Sequence, residues 1–236
     1  MARVLARVAR PEDAEAMLSL LKDPSAVVRR LAIEGLAGSG SEPVAEQLRL
    51  ALGDESPTVR MAAAAALGES TGDAVLADLE RALRDEDPRV AASAARAIGR
   101  HGEARSLRAE AVSLLAAALA GEGLVGMAAL EALEHVGGQE AATAASAVLG
   151  RSEPELLQAA VRCIGRHGDA ASLAALIPIV QHESWAVRSL AIETLAERRV
   201  ARALPAILRR LEREQDGFVR DAITRALRVL EESATR

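Results

Sequence analysis

The stretch DESPTVRMAAAAALGES, residues 54–70, is answered by DEDPRVAASAARAIGRH at residues 85–101, which keeps the same order of acid, proline, valine and alanine-rich run 31 residues further on. Aligning on Val59 carries the pattern along the chain to Val28, Val90, Val125, Leu156, Val187 and Val219, in steps of 31, 31, 35, 31, 31 and 32 residues. Four residues after each anchor stands Ala32, Ala63, Ala94, Ala129, Ala160, Ala191 or Ile223, and eight after it Leu36, Leu67, Ile98, Leu133, Ile164, Leu195 or Leu227. Spacing of 0, +4 and +8 marks one face of an α-helix. Position +7 is always small (Gly35, Ala66, Ala97, Ala132, Cys163, Thr194, Ala226), which lets a neighbouring helix come close.

A second apolar segment precedes each of these helices, as in PVAEQLRLAL at 43–52 and AVLADLERAL at 74–83, so each unit of about thirty residues reads as a helical hairpin. A repeat of this length stacks its units into a solenoid. The punctuation agrees. Asp23, Asp54 and Asp85 stand five residues before their anchors, where a carboxylate can cap the second helix. Pro57, Pro88 and Pro154 fall in the first helical turn, where a missing N–H costs nothing. Gly38, Gly68, Gly99, Gly102, Gly165 and Gly168 lie near the far end, where left-handed C-caps are expected.

Asp-x-x-Pro-x-Val-Arg followed by an alanine-rich stretch and Leu-Gly resembles the HEAT-like repeat family, in particular its short bacterial phycobilisome-lyase type, over about residues 12–233 as seven units. The resemblance implies an all-α fold, a right-handed superhelical α-solenoid forming a single array over 1–236, that binds other macromolecules. It also implies that the Asp and the Arg after the anchor link adjacent units. That Arg is present as Arg29, Arg60, Arg188 and Arg220 but replaced by Ala91, Gly126 and Leu157, and the Asp is lost at Ala120 and Arg151. Regular stacking is therefore least assured at the centre. The four extra residues of the 35-residue step fall in GEARSLRAEAVSLLAAALAGEG, 102–123, and predict an extra turn on the first helix of unit four.

Composition narrows the function. Half of the 236 residues are hydrophobic but only 1% are aromatic, and the net charge is −5, which offers nucleic acid no general attraction. The N-terminal stretch has no long apolar core and reads as neither signal nor membrane span, so the cytoplasm is the expected compartment. The lone Cys163 excludes an internal disulfide framework, and at a small-residue packing position it reads as structural rather than nucleophilic.

His101 and His167 close the twin phrases IGRHGE and IGRHGD two units apart, roughly 20 Å if neighbouring helices are about 10 Å apart, so one metal cannot bridge them. They read as helix-end histidines complementing the dipole. HEAT-like deoxyhypusine hydroxylases place His-Glu pairs in several repeats around two irons, whereas His182-Glu183 occurs once here. HEAT-like DNA glycosylases approach DNA with a basic groove and aromatic residues. Residues 198–236 carry ten Arg against six acids, but Trp185 and Phe218 are the only aromatics and give little surface for base stacking.

With no convergent acid, base, nucleophile or ligand cluster, no catalytic residue, cofactor or metal is expected. Positions +2, +6 and +10 of the second helices should line one side of the solenoid. Arg30, Glu34, Met61, Arg96, Arg100, Met127, Glu131, His135, Arg162 and Arg166 are the candidate partner-binding residues, with methionines at an adaptable apolar centre and charges at the rim. The expected function is a non-enzymatic scaffold or adaptor that binds a protein or peptide. A bilin-lyase-like chaperone, implied by the resemblance, and nucleic-acid binding through the Arg-rich C-terminal units are the alternatives.

Overall fold

The computed structural model describes residues 11–39, 41–70, 74–102, 107–121 and 123–234. Among these, every regular element is helical. The chain runs α1 (Pro11–Leu20), α2 (Ala26–Leu36), α3 (Glu42–Ala51), α4 (Pro57–Leu67), α5 (Val75–Ala82), α6 (Pro88–His101), α7 (Arg108–Ala118), α8 (Leu124–Val136), α9 (Gln139–Ala145), α10 (Pro154–His167), α11 (Ala170–Ala174), α12 (Trp185–Glu197), α13 (Leu204–Leu211) and α14 (Gly217–Ala234). Odd-numbered helices are the first, and even-numbered the second, of each hairpin. The fold is the all-α helical-repeat architecture of an α-solenoid.

The repeated apolar row forms the core. All seven residues at +4 and all seven at +7 are buried, and the anchors and the +8 row join them, with Val28, Val125 and Leu227 half-buried. Small residues at +7 do serve close approach. A Cβ added to Gly68 would lie 2.7 Å from the Cβ of Ala97, and one on Gly99 would lie 2.8 Å from that of Ala132, so α4, α6 and α8 touch nearly backbone to backbone. This corrects the expected role of the glycines. Of the six placed at helix ends, only Gly38 has a left-handed φ, of 78°, whereas Gly68 and Gly102 cap their helices with φ of −64° and −70°.

The chain divides into two compact units, Met1–Val136 and Gly137–Arg236. The second begins on two glycines of left-handed φ, Gly137 at 67° and Gly138 at 88°. In the first unit α2 packs on α4, α4 on α6 and α6 on α8, each backed by its own first helix. In the second, α10 packs on α12 and α12 on α14.

The full extra turn expected on the first helix of unit four does not form. The first helix of unit four, α7, has 11 residues against 10 in α3 and 8 in α5. Helix α6 has 14 against 11 in α4. The length of α6 is not the surplus, because α10 also has 14 residues in a unit whose step is 31, so the first helix of unit four gains one residue over α3 rather than a turn.

Candidate functional site

Arginine rungs set the spacing of the second helices. Arg29 donates from Nε and Nη2 to the two carboxylate oxygens of Asp54, both at 2.8 Å, and Arg60 does the same to Asp85 at 2.7 and 2.8 Å. Arg188 repeats the fork on Glu214, at 2.8 and 2.9 Å. Each guanidinium also reaches back through Nη1 to the carbonyl five residues before its own anchor: Asp23, Asp54 and His182, at 2.9, 3.0 and 2.9 Å.

The acids do not cap the helices as first residues. Ser25, Ser56 and Asp87 hold that place, and the carboxylates of Asp23, Asp54 and Asp85 accept their N–H groups at 2.8, 2.8 and 2.9 Å. In unit six the same acceptor is His182 Nδ1, which takes the Ser184 N–H at 3.0 Å. The first half of the His182-Glu183 pair is thus a turn residue. His101 and His167 end α6 and α10, and Cys163 is fully buried.

Within the first unit this ladder holds α4 between α2 and α6 and opens a groove of about 540 Å³ over it. Met61, Ala62, Ala65 and Ala66 of α4 form its floor, with Ala37 beside them. Glu34 and Glu69 stand at the α2 side, where the Glu69 carboxylate lies against Gly38, and Arg89, Ser93 and Arg96 belong to α6. The groove exists because +6 is Ala65 here, while α2 and α6 place the charged Glu34 and Arg96 at that position. Ser93 donates to the Met61 carbonyl at 3.0 Å.

Three of the candidate residues, Glu34, Met61 and Arg96, therefore line one site. Arg30 pairs with Glu34 beside it. Arg100 donates to the Ala65 carbonyl at 3.0 Å and Glu131 accepts from Arg96 at 3.2 Å, so both support the rim from behind. Met127 is half-buried and His135 exposed on α8, away from the lining, while Arg162 and Arg166 are exposed on α10 of the second unit. The sequence reading missed Arg89, Ser93 and Glu69. Glu69 stands at +10 on the stripe already singled out, and Arg89 and Ser93, at −1 and +3, extend that stripe to the N-terminal end of α6.

In the second unit a smaller groove of about 340 Å³ runs between α12 and α14 over Ala196, Ala222 and Ala226, with Arg225 and Glu193 paired across it at 2.8 Å. Trp185 and Phe218 meet at 5.8 Å between ring centroids, 50% and 70% exposed. Among the described residues no group of three His, Cys, Asp or Glu side chains could hold a metal ion, and no helix is long and apolar enough to cross a membrane.

Among curated proteins, none matches the chain in sequence. Solved structures similar to it include Escherichia coli YibA, at 16% identity and a TM-score of 0.64 over 98% of this chain and 95% of that one. The complex of CpcE and CpcF of phycocyanin lyase from Nostoc sp. PCC7120 is similar at 19% identity and a TM-score of 0.55, over 93% and 94%. An engineered protein is similar at 19% and 0.55, over 98% and 74%. At these identities the likeness is one of fold. The sequence family described as HEAT repeats matches residues 14–99 and 144–228, the stretches that carry the rungs and the buried rows of every unit but the fourth, and the chain belongs to the HEAT-repeat family.

Proposed function

We propose that the protein is a non-enzymatic interaction scaffold that binds a protein or peptide segment in the groove over α4. One observation carries the reading. The groove joins an apolar floor centred on half-buried Met61 to a rim of four charged residues on a layer of helices fixed by arginine rungs. Surfaces of this kind take up side chains of a partner, and methionine adapts its shape to them. The lining contains no pairing of a nucleophile with a base, since the Ser93 hydroxyl is turned to a backbone carbonyl.

Affinity capture with the intact protein, compared with Met61→Glu, tests the assignment. A charge at the floor should abolish recovery of the specific partner while circular dichroism stays unchanged. Recovery that survives the substitution would remove the groove from the binding surface. Incubation with a bilin, followed by absorbance, tests the lyase-type alternative, and a spectral shift or covalent adduct would replace the scaffold reading.

A further inference from the structure

The groove has walls of opposite sign. On the α2 side stand Glu34 and Glu69, and on the α6 side Arg89 and Arg96, separated by the uncharged floor of α4. Neighbouring packed helices lie about 8–10 Å apart, which puts the axes of α2 and α6 about 16–20 Å from each other. Subtracting the half-width of each leaves about 4–10 Å, which α4 itself fills, so an occupant rides on the outer face of α4 with the two charged walls beside it. The floor presents Ala62, Ala65 and Ala66 around Met61, and small residues of this kind let another helix settle close.

Three of the wall charges are paired with neighbouring side chains. Arg89 pairs with Asp87 at 2.6 Å, Arg96 with Glu131 at 3.2 Å, and Glu34 with Arg30. Arg89 and Arg96 keep exposed side chains, 60% and 44%, so a partner carboxylate can join their pairs from solvent.

We infer that the trough over α4 seats an amphipathic helix of a partner protein, with an apolar stripe on Met61 and the alanines, a basic flank toward Glu34 and Glu69, and an acidic flank toward Arg89 and Arg96. Charged flanks beside an apolar seam select partners as they do in coiled coils. This inference rests on the groove reading above and adds to it the shape and charge of what binds.

Three synthetic 18-residue helical peptides test it with the full chain, by fluorescence anisotropy. All carry one Ala/Leu face. The first has Glu along one flank and Lys along the other, the second Glu on both, the third Lys on both. The mixed peptide should bind at least tenfold tighter than either control. In the double variant Arg89→Glu/Arg96→Glu both walls are acidic, and the preference should pass to the all-Lys peptide. Binding of the three within twofold of each other, or an unchanged preference in the double variant, overturns the charged-wall inference. If no peptide binds but Met61→Glu still abolishes capture of the native partner, the helical occupant is wrong and the groove stands. If Met61→Glu leaves that capture intact, the groove reading itself fails.

Discussion

Arg188 and Glu214 form a two-pronged pair with side chains only 7% and 1% exposed, and Arg210 adds a third bond to the same carboxylate at 2.7 Å. Removing one member of such a pair strands the other charge in a buried place. Glu214→Gln should therefore lower the unfolding free energy by about 3–5 kcal/mol in urea titrations. Glu80→Gln, which breaks the exposed Arg84 pair, should cost under about 0.5 kcal/mol. Equal effects of the two would show that the rung contributes nothing special.

The same rungs make the protein acid-sensitive. Burial works to raise the Glu214 carboxyl, but hydrogen bonds from Arg210 and Arg188 overcome it and hold the group at about 2. Asp85 is lowered chiefly by Arg60, and Asp54 is lowered by Arg29 and the Ser56 N–H against its own burial. Folded values below the unfolded ones mean stability that is full above the ordinary carboxylate range and drains away as pH falls from about 5 toward 2. For Glu214 the contribution is on the order of 3 kcal/mol. Glu214→Gln should flatten the stability profile in that window and leave its shape above pH 6 unchanged, as read by circular dichroism.

Close approach of the second helices gives a steric prediction. Valine at Gly68 would press into both the Cβ and the Cα of Ala97, the latter 2.8 Å from the new Cβ. Overpacking of this kind costs about 1–3 kcal/mol. Gly150 has nothing within 4 Å of the same construction, and Gly150→Ala should stay within about 0.5 kcal/mol of the parent. Thermal denaturation of the two variants provides the comparison, and a tolerant Gly68→Val would mean that α4 and α6 can separate freely.

Trp185, the chain's single tryptophan, is a built-in reporter for the second unit. Phe218 covers part of its ring, so Phe218→Ala should shift emission to longer wavelength while stability changes by about 1 kcal/mol or less. An unshifted spectrum would show that the two rings do not rest together in solution.

The repeated rows at 0, +4, +7 and +8 are legible in the sequence because burial on a helix follows a fixed period that every unit restates. Arg29, Arg60 and Arg188 recur at the same position, as do Asp54 and Asp85, but Glu214 replaces the aspartate that the pattern calls for and is found only in the structure. What escapes depends on neighbours in space. Gly68 and Gly99 look like helix caps until α6 and α8 are seen against them. His182 looks like half of a metal-binding pair, yet an imidazole nitrogen can accept the turn N–H that a carboxylate accepts elsewhere. Of the candidate site, Glu34, Met61 and Arg96 are found by their stripe. The opening between them is set by what Ala65 lacks, and a missing side chain gives no motif to find.

The rungs also impose a grammar on how such a chain can grow. Residues 54–84 open with the acid that receives one arginine and contain the next arginine, so a tandem copy of this segment would leave no word unfinished. Arg60 would meet the copied Asp54, and the copied Arg60 would meet Asp85. The segment that follows breaks the grammar in a balanced way. Ala91 offers no guanidinium, and the next receiving position, Ala120, asks for none. A segment that opens at Ala120, spliced in directly after one that carries an arginine, would leave that charge without its receiver. Lengthening this protein by whole units is thus open at its N-terminal end and constrained at its middle by which halves of a rung are brought face to face.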